Sequence, residues 1–259
     1  MSYLPSALWL TVSPNLKRFD QRLLCRLSKR VSIARWEYIQ TVDEPCCLQI
    51  VVDLLHEYLY KNFTEANKPI DLIGHGLSGI VGWLYAQRYP EHVRSLTLLS
   101  VGANPAVNWH AHYYALRQLL PCSREIILAQ MARMLFGPRS CDITRVLVQM
   151  LAQDLDLGLA LHSLVNCQEV EPAQIQPPLM VCQGAHDAVV NSAERWQPLL
   201  KPNDRIWTCP QGHHFFHFDQ PRLVETAILN YWQQIDRLEK TAALSAVSTI
   251  SYLTNSPVL

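Results

Sequence analysis

Residues 68–79 read Lys-Pro-Ile-Asp-Leu-Ile-Gly-His-Gly-Leu-Ser-Gly. An apolar run, Ile70 to Ile73, meets a glycine-rich turn, and Ile80 to Ala86 then reads as a buried helix. A strand, a sharp turn and a helix around G-x-S-x-G form a nucleophile elbow, which presents a serine hydroxyl for attack on a carbonyl. Here the apex of the pattern is Gly76. Glycine has no side chain to attack with, so the chemistry of a covalent serine is missing at its expected place. Ser78 lies two residues further on. A motif centred there would need a small residue two places later, where the chain has Ile80. Ser78 is therefore read as a small residue whose hydroxyl turns into the first helical turn, with a nucleophile at Ser78 as the alternative. The apex of an elbow carries backbone strain, and glycine adopts such torsions without that cost.

The elements that must position this turn alternate along the chain. Leu8–Val12 is the first strand candidate, followed by a helix from Phe19 to Leu27. Val31–Ile39 is a second strand, and Cys47–Phe63 carries Ile50, Val51, Leu54, Leu55, Tyr58 and Leu59 at helical spacing. The elbow strand and helix come next, then a strand over Val93–Val101. Alternation of this kind argues for a parallel sheet with helices on both faces. Residues 103–172 break it: Trp109–Leu120, Ser123–Phe136, Cys141–Leu151 and Leu155–Val165 all read as helices. A strand at Leu179–Gly184 and a last strand at Arg205–Cys209 follow. A final helix has Pro221 in its first turn, with one apolar stripe from Val224 to Ile235. Residues 241–259 contain no charged side chain. They are expected to be either a plain terminus or a segment docking Leu244, Val247, Ile250, Leu253 and Val258 on a partner or a membrane surface.

Three segments carry a family resemblance. The first is the elbow with Ala86-Gln87-Arg88-Tyr89-Pro90-Glu91-His92-Val93 behind it. The second is Val181-Cys182-Gln183-Gly184-Ala185-His186-Asp187. The third is Gly212-His213-His214-Phe215-Phe216-His217-Phe218-Asp219-Gln220-Pro221. In that order they resemble the elbow, acid loop and histidine loop of the α/β-hydrolase superfamily, in particular its compact Gly-His-Ser-Leu-Gly-Gly branch. The resemblance implies an α/β-hydrolase fold of about six mainly parallel strands. Residues 1–102 and 173–240 would form its core, 103–172 a helical cap insertion, and 241–259 a tail. It also implies a catalytic dyad, His214 and Asp187, with Gly76 at a degenerate nucleophile position and the Leu77 amide as an oxyanion donor. The family carries His-Gly after its early strand to expose a second donor. This chain has Val12-Ser13-Pro14-Asn15, and Pro14 has no N–H. On that reading Gly76→Ser restores little or no ester hydrolysis. His213, His217 and His186 are read as packing or solvent-facing, and the histidine cluster lacks ligand spacing for a metal. No cofactor is expected.

Two functions stay open. One is a hydrolase-fold protein without hydrolase activity, binding a small apolar ligand or scaffolding a protein partner. The other is an enzyme using the His214–Asp187 dyad without a covalent intermediate, as a lyase, an oxygenase or a water-activating, esterase-like hydrolase. In the cap, Trp109, His110, His112, Tyr113, Tyr114, Met131, Met134 and Phe136 could line a pocket, but most are expected to pack cap on core. Composition narrows the partners. The 259 residues are 49% apolar and carry 22 basic and 22 acidic side chains, which argues against nucleic-acid binding. No signal peptide or membrane-spanning stretch is read. The eight cysteines are scattered without C-x-x-C and are expected to be buried free thiols of a cytoplasmic protein.

Overall fold

A computed structural model describes residues 5–40, 43, 47–63, 68–104, 106–157, 173–190 and 193–254. Among them six strands form one sheet: β1 (Ala7–Thr11), β2 (Ile33–Glu37), β3 (Ile70–His75), β4 (Val93–Leu99), β5 (Leu179–Gly184) and β6 (Arg205–Cys209). All pairs are parallel, in the order β2-β1-β3-β4-β5-β6. The expected strands are all present, shifted by a residue or two at their ends.

The central strands are apolar on both faces because both faces are covered. Leu8 and Leu10 of β1 pack into one cluster with α2 (Leu48–Phe63) and α3 (Leu77–Arg88). Ala7 and Trp9 point the other way, into a cluster with α1 (Gln21–Leu27) and the C-terminal helix described below. The path after β1 therefore crosses one face, and the path after β3 crosses the opposite face. Strand order reverses between these two neighbours. In open parallel sheets a crevice forms at such a reversal, outside the C-terminal ends of the strands. The loops that meet there begin at Val12 and at Gly76.

Helices α4 (Trp109–Leu119), α5 (Arg124–Phe136) and α6 (Cys141–Leu157) build a third cluster around Met131, Leu135, Phe136 and Leu151. Phe19 and Phe215 enter it from the core. Phe136 stacks on Phe215 with centroids 4.7 Å apart, and the Phe215 amide donates to the Leu135 carbonyl at 3.0 Å. This layer is thereby pinned to the loop that carries His214. After β6 come α7 (Phe216–Asp219) and α8 (Pro221–Thr254).

Four local expectations change. The helix expected from Phe19 starts instead as a 3-10 turn, Pro14–Phe19, and α1 begins after Asp20, whose carboxylate is drawn inward by Trp9 and His217. The two helices expected over Cys141–Leu151 and Leu155–Val165 are continuous as far as Leu157, since Ala152-Gln153-Asp154 contains no breaker and Asp154 turns into the interior. The remainder of the second, residues 158–165, lies outside the described residues. Helix α8 runs on to Thr254, so most of the uncharged tail is helical; Ala- and Leu-containing sequence without proline allows it. Finally, Cys25 and Cys141 are exposed on their helices; Cys182 and Cys209 are buried, and all of these thiols are free. Among the described residues no helix is long and apolar enough to cross a membrane.

Candidate active site

Gly76 caps the N-terminus of α3 with φ +51° and ψ −124°, a left-handed conformation open to glycine and strained for other residues. Its N–H donates to the Leu99 carbonyl at 3.0 Å, and its own carbonyl accepts from Ile80 at 3.1 Å. Close packing behind it fixes the turn. A Cβ at Gly74 would meet the Gly79 backbone at 2.6 Å, so α3 can seat on β3 only with glycine at both places. At Gly76 the opposite holds: no atom lies within 4 Å of an added Cβ. The apex faces open space.

His214 lines the same cleft. Its Nδ1 lies 3.0 Å and 3.2 Å from the two Asp187 oxygens, and both side chains are only 2% exposed. Asp187 Oδ1 also accepts from the amides of Val189 at 2.9 Å and Val190 at 3.3 Å. Burial pushes the Asp187 carboxyl up, but the charge and hydrogen bond of His214, the Val189 amide and the Ser100 hydroxyl outweigh it and hold the carboxyl below its ordinary value. A carboxylate on Nδ1–H places the imidazole lone pair on Nε2. Among the described residues Nε2 has no hydrogen-bond partner.

The histidine loop is held by residues that sequence reasoning passed over. Ser100 Oγ donates to the His214 carbonyl at 2.6 Å, and His75 Nε2 lies 3.2 Å from the same oxygen. His75 is half-buried; desolvation first, then neighbouring His217 and His214, push its pKa well down. It is a neutral positioning group within the elbow. Behind it, His217 Nε2 sits 3.1 Å from Asp20 Oδ1, while the Trp9 indole donates to Asp20 Oδ2 at 3.0 Å. From the helical layer, buried His110 lines the cleft and meets buried Asp154 at 3.0 Å. Neither pairing carries a local motif: their partners are 197 and 44 residues apart. His213 and His186 pack against each other, 5.7 Å between centroids, away from the cleft.

The donors also differ from expectation. Ser78 does not turn into the first helical turn. Its Oγ accepts from the Val12 amide at 3.0 Å and ties α3 to the end of β1. Pro14 has no N–H to donate. The Ser13 and Leu77 amides, both in the cleft lining, have no acceptor among the described residues. A backbone donor is invisible to a reading of side-chain types. The cleft is small, about 40 Å³, which is room for about three waters. Of the aromatic and Met residues named for this region, Trp109 lines the cleft; Tyr113, Met131 and Phe136 are buried in the third cluster and Met134 packs against it, in keeping with the packing expected for most of them, and Tyr114 faces outward. The His112 ring turns back to the Asn108 carbonyl at 3.2 Å. Among the described residues no group of three His, Cys, Asp or Glu is arranged to hold a metal ion.

The arrangement brings Gly76, the buried His214–Asp187 pair and the first residue of α3 to one cleft. No family model matches this chain. Over 228 residues it is 43% identical to the uncharacterized protein alr2406 of Nostoc sp., covering 87% of this chain and 90% of that one. Over 243 residues it is 41% identical to the uncharacterized protein sll0249 of Synechocystis sp., covering 93% and 95%. A weaker similarity, 24% over 196 residues, reaches epoxide hydrolase 4 of Homo sapiens, covering 64% of this chain and 54% of that protein. Among solved structures, a bacterial membrane phospholipase A is similar with a TM-score of 0.71 at 17% identity, over 91% of this chain and 81% of that one. The chain belongs to one family with the cyanobacterial proteins alr2406 and sll0249, and its fold is that of the α/β-hydrolase superfamily.

Proposed function

We propose that this protein is an α/β-hydrolase-fold pseudoenzyme for acyl transfer: it binds a ligand in the cleft above Gly76 and forms no covalent intermediate there. The observation that carries this reading is the elbow itself. Gly76 keeps the left-handed torsions of a presented nucleophile, and open space stands where the nucleophile would project. Loss of a nucleophile typically costs on the order of a millionfold in turnover. Within the cap expected over residues 103–172, α4 to α6 form the described part, and residues 158–172 lie outside the described residues. The free thiols among the described residues fit a cytoplasmic setting.

One observation favours a second reading, non-covalent catalysis. His214 Nε2 is unpaired at the cleft and backed by Asp187. It could take a proton from water or substrate without any side chain at position 76. A panel of esters and epoxides turned over by the wild type and by His214→Gln separates the two. The binding reading expects no turnover above the uncatalysed rate in either protein. Turnover that His214→Gln abolishes would establish the second reading in its place.

A further inference from the structure

Strand β2 ends the sheet on one side, and among the described residues no strand pairs with its outer edge. The Tyr38 N–H donates to the Thr11 carbonyl at 2.9 Å, and the Ser32 carbonyl accepts from the Ala7 amide at 3.2 Å. Even-numbered residues thus turn their backbone groups to β1. Neighbours along a strand alternate, so Ile33, Arg35 and Glu37 turn theirs outward. Ile39, just past the strand and 62% exposed, continues that row. A bare edge is a template for a further strand, and natural edges are blunted by proline, by bulges or by charges that an added strand would leave unmatched. Residues 33–37 contain neither proline nor glycine and pair with β1 in unbroken register. They carry two charges, but of opposite sign and two residues apart.

This edge is complementary to itself. Two antiparallel copies related by a two-fold axis can meet with the axis at residue 34, 35, 36 or 37. With the axis at Arg35, arginine faces arginine; at Glu37, glutamate faces glutamate; at Ala34, Arg35 faces Ile33. With the axis at Trp36, Arg35 faces Glu37 of the second copy, and Ile33 faces Ile39 of the second copy. Opposite charges directly across a ladder stabilise it and like charges destabilise it, so one register is selected. In that register the outward backbone groups exchange about eight hydrogen bonds. Among the described residues Arg35 makes no ion pair. Glu37 is bonded to Lys17 at 2.7 Å, and a carboxylate has lone pairs for a second cation. An open groove between α1 and β2, lined by Leu24, Cys25 and Ile33, lies beside the edge. Ile39 of the second copy falls on the same face as Ile33, over this groove.

We propose that the outer edge of β2 is a homodimer interface, where two copies join their sheets antiparallel about Trp36. The interface lies on the sheet edge and is independent of what the cleft binds. Sedimentation velocity of the full-length chain over a dilution series tests it, and a dimer that dissociates on dilution is expected. Arg35→Glu sets four carboxylates against one another across the axis and is expected to weaken the dimer by at least about a hundredfold. Arg35→Glu combined with Glu37→Arg exchanges the two charges and is expected to recover the wild-type dissociation constant within about tenfold. Ile39→Lys lies outside the strand and is expected to weaken the dimer by about tenfold. Melting temperatures recorded beside each variant show which are folded. A wild type that stays monomeric throughout the series overturns the proposal. So does a dimer unchanged in folded Arg35→Glu, which would place the contact on another surface, or a folded charge exchange that stays monomeric. If the charge variants fail to fold, Ile39→Lys decides alone, and an unchanged dissociation constant there overturns the proposal.

Discussion

His75 shows how much one residue inside the elbow contributes. Its ring bridges the turn to the His214 carbonyl and remains neutral, because burial and the adjacent His217 and His214 lower its pKa. An unfolded chain takes a proton at this residue near its ordinary 6.5, and the folded chain does not. Stability is therefore expected to fall as pH drops below about 6.5, by up to about 1.4 kcal/mol per pH unit for each such proton. Urea unfolding of His75→Gln should show a shallower slope between pH 6.5 and 5 than the wild type; an unchanged slope would mean that His75 is not the neutral group described. Asp187 acts in a different window. Its depressed pKa adds stability above the ordinary carboxyl value of 3.8, and that contribution is lost only as pH falls further. The dyad residues themselves were readable in the sequence, since their loops have recognisable spacing. His75, Ser13 and the His110–Asp154 pair were not. Their roles rest on backbone atoms and on partners distant in the chain, which residue type does not encode.

At the scale of elements, the site depends on how closely α3 approaches β3. A methyl at Gly79 would meet Val101 Cγ2 at 2.5 Å and the Gly74 carbonyl oxygen at 2.8 Å. Gly79→Ala is expected to cost about 1–3 kcal/mol, from overpacking against backbone that cannot yield. A thermal melt equal to the wild type would show that the turn is looser than described. Strand and helix identities followed from apolar periodicity, because parallel strands buried on both faces leave a plain signal. Boundaries were less legible. Asp20 ends a 3-10 turn because its carboxylate is claimed by Trp9 and His217, and α6 passes through Asp154 because that side chain is paired inside. Both depend on tertiary partners, and local propensity yields to them.

Taken whole, the molecule places the loops after Thr11 and His75 where the sheet reverses direction, and this explains why distant segments meet above Gly76. Helix α8 extends beyond that body. Its buried stripe, Val224 to Ile235, packs on the sheet, and Asp236 and Glu239 reach Arg94, but Leu244 is 73% exposed. Truncation after Lys240 is expected to leave the melting temperature within about a degree or two of the full chain, since surface segments contribute little. A larger drop would show that residues 241–254 carry stabilising contacts.

The central proposal is that the cleft lacks a nucleophile at Gly76. The His214–Asp187 pair is in place at the cleft, and Ser13 and Leu77 both line it. The claim is tested most directly by intact-mass analysis after treatment with a fluorophosphonate, on the wild type and on Gly76→Ser. The variant bears a strained apex and should lose about 1–3 kcal/mol of stability. The wild type should gain no mass, and Gly76→Ser should gain one adduct at position 76 that additional His214→Gln prevents. Labelling of the wild type at Ser78, or a folded Gly76→Ser that stays unlabelled, would contradict the account.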